Sequence, residues 1–184
     1  MTLLLGFAPL VVFFVLERLS VSLALWVAFA TAFALSMRTF IETGILKLFD
    51  AGSTVIFGLL ALFTGFIEPG MDYPWVGLIL ELGLLGIVVW SLVTRAPFIR
   101  EYSREQIPRE QWTAPLFIAT NYRLTWAWAG AFAVMAAADA TILFLHRVAP
   151  GLAVTTGLLA LLLALTFTWQ SGVRISRRLG KTPH

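Results

Sequence analysis

Glu81 and Asp139 are carboxylates set inside long apolar stretches, Trp75 to Thr94 and Leu124 to Leu145. An ionisable group so flanked costs on the order of a few kcal/mol unless it is paired, protonated or hydrated. Glu81 lies six residues beyond Trp75 and Asp139 six before Leu145, so each sits about 9 Å along its helix from the same side. The two therefore belong to one layer. Thr64, Thr155 and Thr156 fall near that layer and offer hydroxyls, while Arg18, His146 and Arg147 fall at its rim as counter-ions or as attractors of an anionic headgroup. Such a set suits the binding of a proton or a polar ligand. If the two carboxyls face one another, at least one holds a proton near neutral pH, because two charges cannot both be solvated there. The plainer reading is that both are packing residues that join helices through hydrogen bonds worth about 0.6 to 2 kcal/mol.

Other chemistry is poorly provided for. There is no Cys and there are two His, one of them the final residue His184. Thiol catalysis, iron–sulfur clusters, bis-histidine haem and three-histidine zinc are thereby excluded within one chain, and neither a metal nor a cofactor is expected. No nucleophile and base pair can be assembled from local motifs, which argues against an enzyme.

The elements that must position these carboxylates are set by lipid. Of 184 residues 59% are apolar and 12% charged, against roughly 25% charged in a soluble domain. The isoelectric point is near 9.8, but the net charge is only +3 and the basic residues lie between apolar blocks, so no nucleic-acid partner is indicated. A bilayer core of roughly 30 Å needs about 20 helical residues. Five blocks meet or approach that length, Ser20 to Met37, Ser53 to Ile67, Trp75 to Thr94, Leu124 to Leu145 and Gly151 to Trp169. The second is short, about 22 Å, and must extend backwards or sit where the bilayer thins. A sixth stretch, Leu3 to Leu16, contains Pro9 and is either a further span or a re-entrant helix. It has no basic leader or cleavage site and is kept with the mature protein. The expected fold is all-α, a single membrane domain over 1–184 with five spanning helices plus this short N-terminal helix.

The turns at Glu68 to Pro74 and Arg147 to Gly151 join antiparallel hairpins, and Thr39 to Asp50 has the pattern of a short amphipathic segment lying in the interface or of a plain connecting helix. Arg38, Lys47, Arg95, Arg100, Arg104, Arg109, Arg123, Arg174, Arg177, Arg178 and Lys181 fall on one side, leaving only Arg18 and Arg147 on the other. This bias puts the 95–123 loop and the basic 171–184 tail in the cytoplasm of a bacterial-type inner membrane. Anionic lipid attraction is the simplest use of the Arg-rich loop, and protein docking the lesser one. Trp75, Trp90, Trp112, Trp126, Trp128 and Trp169 lie near block ends and read as depth anchors. Gly77, Gly83 and Gly86 in one helix and Ala127 to Ala138 in another let those helices pack closely on each other or across a homo-oligomer interface.

Four strings then occur in a familiar order. They are Phe7 to Phe14 (FAPLVVFF), Val55 to Phe63 (VIFGLLALF), Ala96 to Arg100 (APFIR) and Tyr122 to Ala129 (YRLTWAWA). Their order and spacing resemble the YciB, or intracellular septation protein A, family over roughly Gly6 to Arg178. The chain departs from it after the second string, where Glu68 to Trp75 replaces a basic, Trp-containing run. The resemblance implies a small inner-membrane protein of cell-envelope synthesis and septation that contacts elongation or division proteins, with no enzymatic activity. The competing expectation is a small transporter or lipid-handling protein that uses Glu81 and Asp139.

Overall fold

The computed structural model describes residues 5–105, 107–145 and 150–179, with side chains at 145, 150–153 and 173–179 left aside. The chain is an all-α bundle in which five helices are long and apolar enough to cross a membrane. Each begins or ends where its sequence supplies the means. Helix α1 (Ala8–Leu16) carries Pro9 in its first turn, where no backbone donor is needed, so this proline starts the helix rather than breaking it. Helix α2 (Val21–Thr43) starts at Ser20, whose side chain accepts a hydrogen bond from the Leu23 amide, and ends at Gly44 with φ 68°, a left-handed conformation that glycine adopts without strain.

Helix α3 (Leu48–Leu62) continues through a π turn at Phe63–Ile67. The short second block therefore does extend backwards, to a 20-residue span from Leu48. The segment from Thr39 to Asp50 is not a separate interfacial helix. It is divided between the last turn of α2 and the first turn of α3 because Gly44 ends one helix and Lys47 precedes the next. Helix α4 (Tyr73–Val93) opens on Tyr73 and Pro74. Short helix α5 (Ile99–Ser103) and a 3₁₀ turn at Arg109–Gln111 lie between α4 and α6 (Pro115–Leu145), and α7 spans Pro150–Leu179.

Two boundaries differ from expectation. The Arg-rich loop stops at Ala114 rather than Arg123, because α6 starts at Pro115 and buries Phe117 and Asn121, whose side-chain amide donates to the Phe117 carbonyl at 2.8 Å. Polar Asn121, Tyr122 and Arg123 end a hydropathy run without ending the helix. In the same way α7 continues helically to Leu179, beyond residue 171, and 180–184 lie outside the described residues.

Sequence neighbours pair as hairpins, and α4 and α6 share the most extensive contact in the bundle. The glycines of α4 serve different neighbours. The Cα of Gly83 faces Ile56 of α3, so a Cβ there would lie 2.9 Å from Ile56 Cδ1, whereas Gly86 faces open space. Helix α1 lies against α2 and turns one face, Pro9, Leu10, Phe13 and Phe14, into the core, while Val11 and Val15 are exposed. Phe7 stacks on Trp128 of α6 with ring centroids 3.6 Å apart and also contacts Phe49 and Phe98, while Phe13 meets Phe57 and Tyr73. At the end of the bundle that carries Asp50 and Tyr102, Gly6 packs against both. Glu17, at the other end of α1, lies beside Tyr73 at the start of α4. The N-terminal stretch thus runs from one end of the bundle towards the other instead of re-entering.

The aromatic core draws on distant parts of the chain, with Phe7, Phe49, Phe98, Trp128 and Phe132 in mutual contact. Trp128 is 0% exposed and donates its indole N–H to Thr168 Oγ1 at 3.1 Å, so it is not a depth anchor. Trp126, 64% exposed, faces outwards as expected. Two residues on a helix are about 200° apart, so only one of this pair can face the core.

A buried carboxyl cluster as the candidate functional site

Tyr73, Gly77 and Glu81 recur at every fourth residue, which puts them in one stripe on α4. The stripe faces α6. The Asp139 carboxyl lies directly over Gly77, where a Cβ would collide with Asp139 Oδ2. The absence of a side chain at residue 77 is therefore what admits the carboxyl between the two helices. The charges that act on Glu81 are those of Asp139 and Glu17, and all three acids act on the Tyr73 hydroxyl, which lies beside Glu17. Glu17 is 7% exposed, and Glu81 and Asp139 are each 2% exposed. Glu17 Oε2, Glu81 Oε2 and Asp139 Oδ2 are all buried without a hydrogen-bond partner.

Three helices thus deliver three acids to one dry place. No protein-family model matches the chain, and no curated protein or solved structure matches it either. What the cluster does must be argued from its own chemistry. Among the described residues no group of three or more His, Asp or Glu is arranged to hold a metal ion, and neither of the two ion pairs involves these acids.

The other sequence candidates distribute unevenly. Thr64 lies on the π turn, buried, with its Oγ1 unpartnered. Thr155 is exposed and Thr156 lines an apolar groove between α6 and α7 with Ala127 and Gly130, so neither satisfies the orphan carboxyl oxygens. Arg18 is exposed next to Glu17, and its charge acts on that carboxyl. His146 and Arg147 lie outside the described residues. Glu17 and Tyr73 were not among the candidates. Glu17 ends the shortest apolar stretch and reads as its polar boundary, and only the packing of α1 against Tyr73 at the start of α4 turns it inwards.

Gly77→Ala is expected to lower the stability of the detergent-solubilised protein by about 1–3 kcal/mol, as overpacking does in a close-packed interior. Adding Asp139→Ala should recover most of that loss, because the colliding atoms are then gone. Thermal unfolding of the two variants in one detergent checks the contact, and a Gly77→Ala protein as stable as the parent would disprove it.

A second polar cluster closes the Arg-rich end. Lys47, 3% exposed, pairs with Glu105 at 2.6 Å and lies 4.3 Å from the centre of the Tyr102 ring. The Tyr102 hydroxyl donates to Asp50, and Glu101 accepts from the Leu48 amide at 2.9 Å. Burial, reinforced by the Asp50 charge, holds the Tyr102 hydroxyl well above the usual tyrosine range and so keeps it a donor. Burial likewise raises the Glu101 carboxyl. Phe98, Ile99 and Tyr102 are all at most 1% exposed, so α5 is inserted into this end of the bundle as a plug.

Proposed function

We propose that this chain is a multi-pass membrane protein of the small-transporter type that binds and exchanges protons within the bilayer. Glu17, Glu81 and Asp139 are its proton-binding groups and Tyr73 their hydrogen-bonding neighbour. The observation that carries this reading is the convergence of three carboxyls, each with a buried oxygen that has no partner. Three negative charges cannot be sustained together in so dry a place, so the cluster exists with protons on it, and its proton content responds to any opening that admits water. Structural hydrogen bonding would satisfy these oxygens, and here it does not.

The test is proton movement in vesicles containing purified protein and an internal pH-sensitive dye. An imposed gradient is expected to dissipate faster with the parent protein than with Glu81→Gln or Asp139→Asn at equal incorporated amount. Equal rates for the parent, the variants and empty vesicles would remove the proposal.

The order of the four aromatic strings supports a second reading, a non-enzymatic inner-membrane factor of envelope synthesis and septation that engages division or elongation proteins. Under either reading the Lys and Arg bias favours an orientation with the C-terminus in the cytoplasm. Complementation separates the two. A septation scaffold keeps its activity in cells when Glu81 and Asp139 are neutralised at matched abundance, whereas a proton-exchanging protein loses it.

A further inference from the structure

Two of the three acids of the Arg-rich segment are occupied elsewhere, and among the described residues Glu110 forms no ion pair. Glu105 is paired with Lys47, and Glu101 accepts from the Leu48 amide. Among the described residues Arg95, Arg100, Arg104 and Arg109 form no ion pair. Two of these guanidinium groups instead lie against one ring. Arg104 is 4.7 Å and Arg109 5.7 Å from the centre of Trp112, whose indole N–H is fixed by the Ile107 carbonyl at 3.0 Å. The Arg104 Nε is buried and has no acceptor; Arg100 adds like charge next to it, and the Glu101 carboxylate offsets part of it. Stacking on an aromatic face orients a guanidinium while leaving its N–H edge free for paired oxygens. The segment joins α4 to α6, which places it at the membrane surface.

We infer that Arg104, Arg109 and Trp112 form a binding site for a phosphate group of the kind carried by acidic lipid headgroups. The terminal N–H groups of the two guanidinium forks are the donors that such oxygens would meet. Generic attraction to an anionic surface does not need the ring, and it would treat every arginine at this end alike.

The experiment measures retention of phosphatidylglycerol by the full chain in phosphatidylcholine nanodiscs. The parent is expected to prefer phosphatidylglycerol, and Arg104→Gln and Arg109→Gln should each weaken that preference about twentyfold or more, beyond the roughly fivefold that one surface charge supplies. Arg38→Gln, which removes a basic residue paired with Glu42 at the same end, should leave it unchanged. Arg104→Lys keeps the charge and loses the planar fork, so it is expected to weaken retention nearly as much as Arg104→Gln. Competition by inorganic phosphate distinguishes the source of the group. Displacement at matched phosphate concentration supports a site for free phosphate as well, and no displacement supports a site that needs the lipid. The inference is overturned if phosphatidylglycerol is not preferred, or if Arg38→Gln weakens retention as much as Arg104→Gln.

Discussion

Trp128→Ala is expected to destabilise the protein by about 3–5 kcal/mol, the range for truncating a large aromatic in a packed interior. Trp126→Ala, two residues away, should change stability by less than about 0.5 kcal/mol, as for a substitution on an exposed face. Trp128 stacks on Phe7, packs against Phe132 and donates to Thr168, so its loss leaves a cavity where α1, α6 and α7 meet. Trp126 contributes an indole to the outer face. Trp128→Phe keeps one aromatic ring for the stack but gives up the N–H and part of the ring volume, so it should fall between the two. Unfolding of the three variants in one detergent decides the matter, and similar losses at 126 and 128 would contradict the placement of Trp128 at the centre.

The second large effect is expected at Lys47. Its pair with Glu105 and the Arg38–Glu42 pair have nearly the same length, 2.6 and 2.7 Å. Distance does not separate them, but burial does. The Lys47 side chain is 3% exposed, whereas the Arg38 and Glu42 side chains are 66% and 55% exposed. Lys47→Ala removes a buried partner and the cation over Tyr102, and about 2–4 kcal/mol should be lost. Arg38→Ala breaks an exposed helix pair worth roughly 0.3–0.5 kcal/mol. Replacing both members of the buried pair, Lys47→Met with Glu105→Gln, should restore part of the loss, since the Glu105 charge is then gone while Asp50 and Glu101 still lack the cation. Cleavage at the segment between α5 and α6 by an added protease offers a direct readout, because Lys47 and Asp50 hold α5 in the bundle. Unchanged cleavage of Lys47→Ala would show that the plug is held by its apolar residues alone.

These two positions also show how legibility varied. Lys47 reads in sequence as one more topology charge, since nothing local distinguishes a lysine in solvent from one folded beneath a tyrosine 55 residues away. The stripe Tyr73, Gly77 and Glu81 is legible by its four-residue spacing, and the placement of Glu81 and Asp139 in a common layer follows from rise per residue alone. The partner of the stripe is not legible. Hydropathy determines where helices cross and that brief turns make antiparallel neighbours. It carries no information on which non-adjacent helices touch, because all of them present apolar surface to lipid and to one another.

By itself the sequence determined the solvent of this protein, its five spans, its all-α class and the segregation of its basic residues to one end. Those properties depend on the transfer of each segment into hydrocarbon, and that is additive along the chain. Only the tertiary structure decided that α1 turns its aromatic face into the core, that Glu17 joins Glu81 and Asp139, that Trp128 faces inwards, and that Arg104 and Arg109 lie against Trp112 while Glu105 pairs with Lys47. Most of these depend on the close approach of groups far apart in the chain. Such approaches are settled by packing volume, of which the bare Cα of Gly77 beneath Asp139 is the clearest instance.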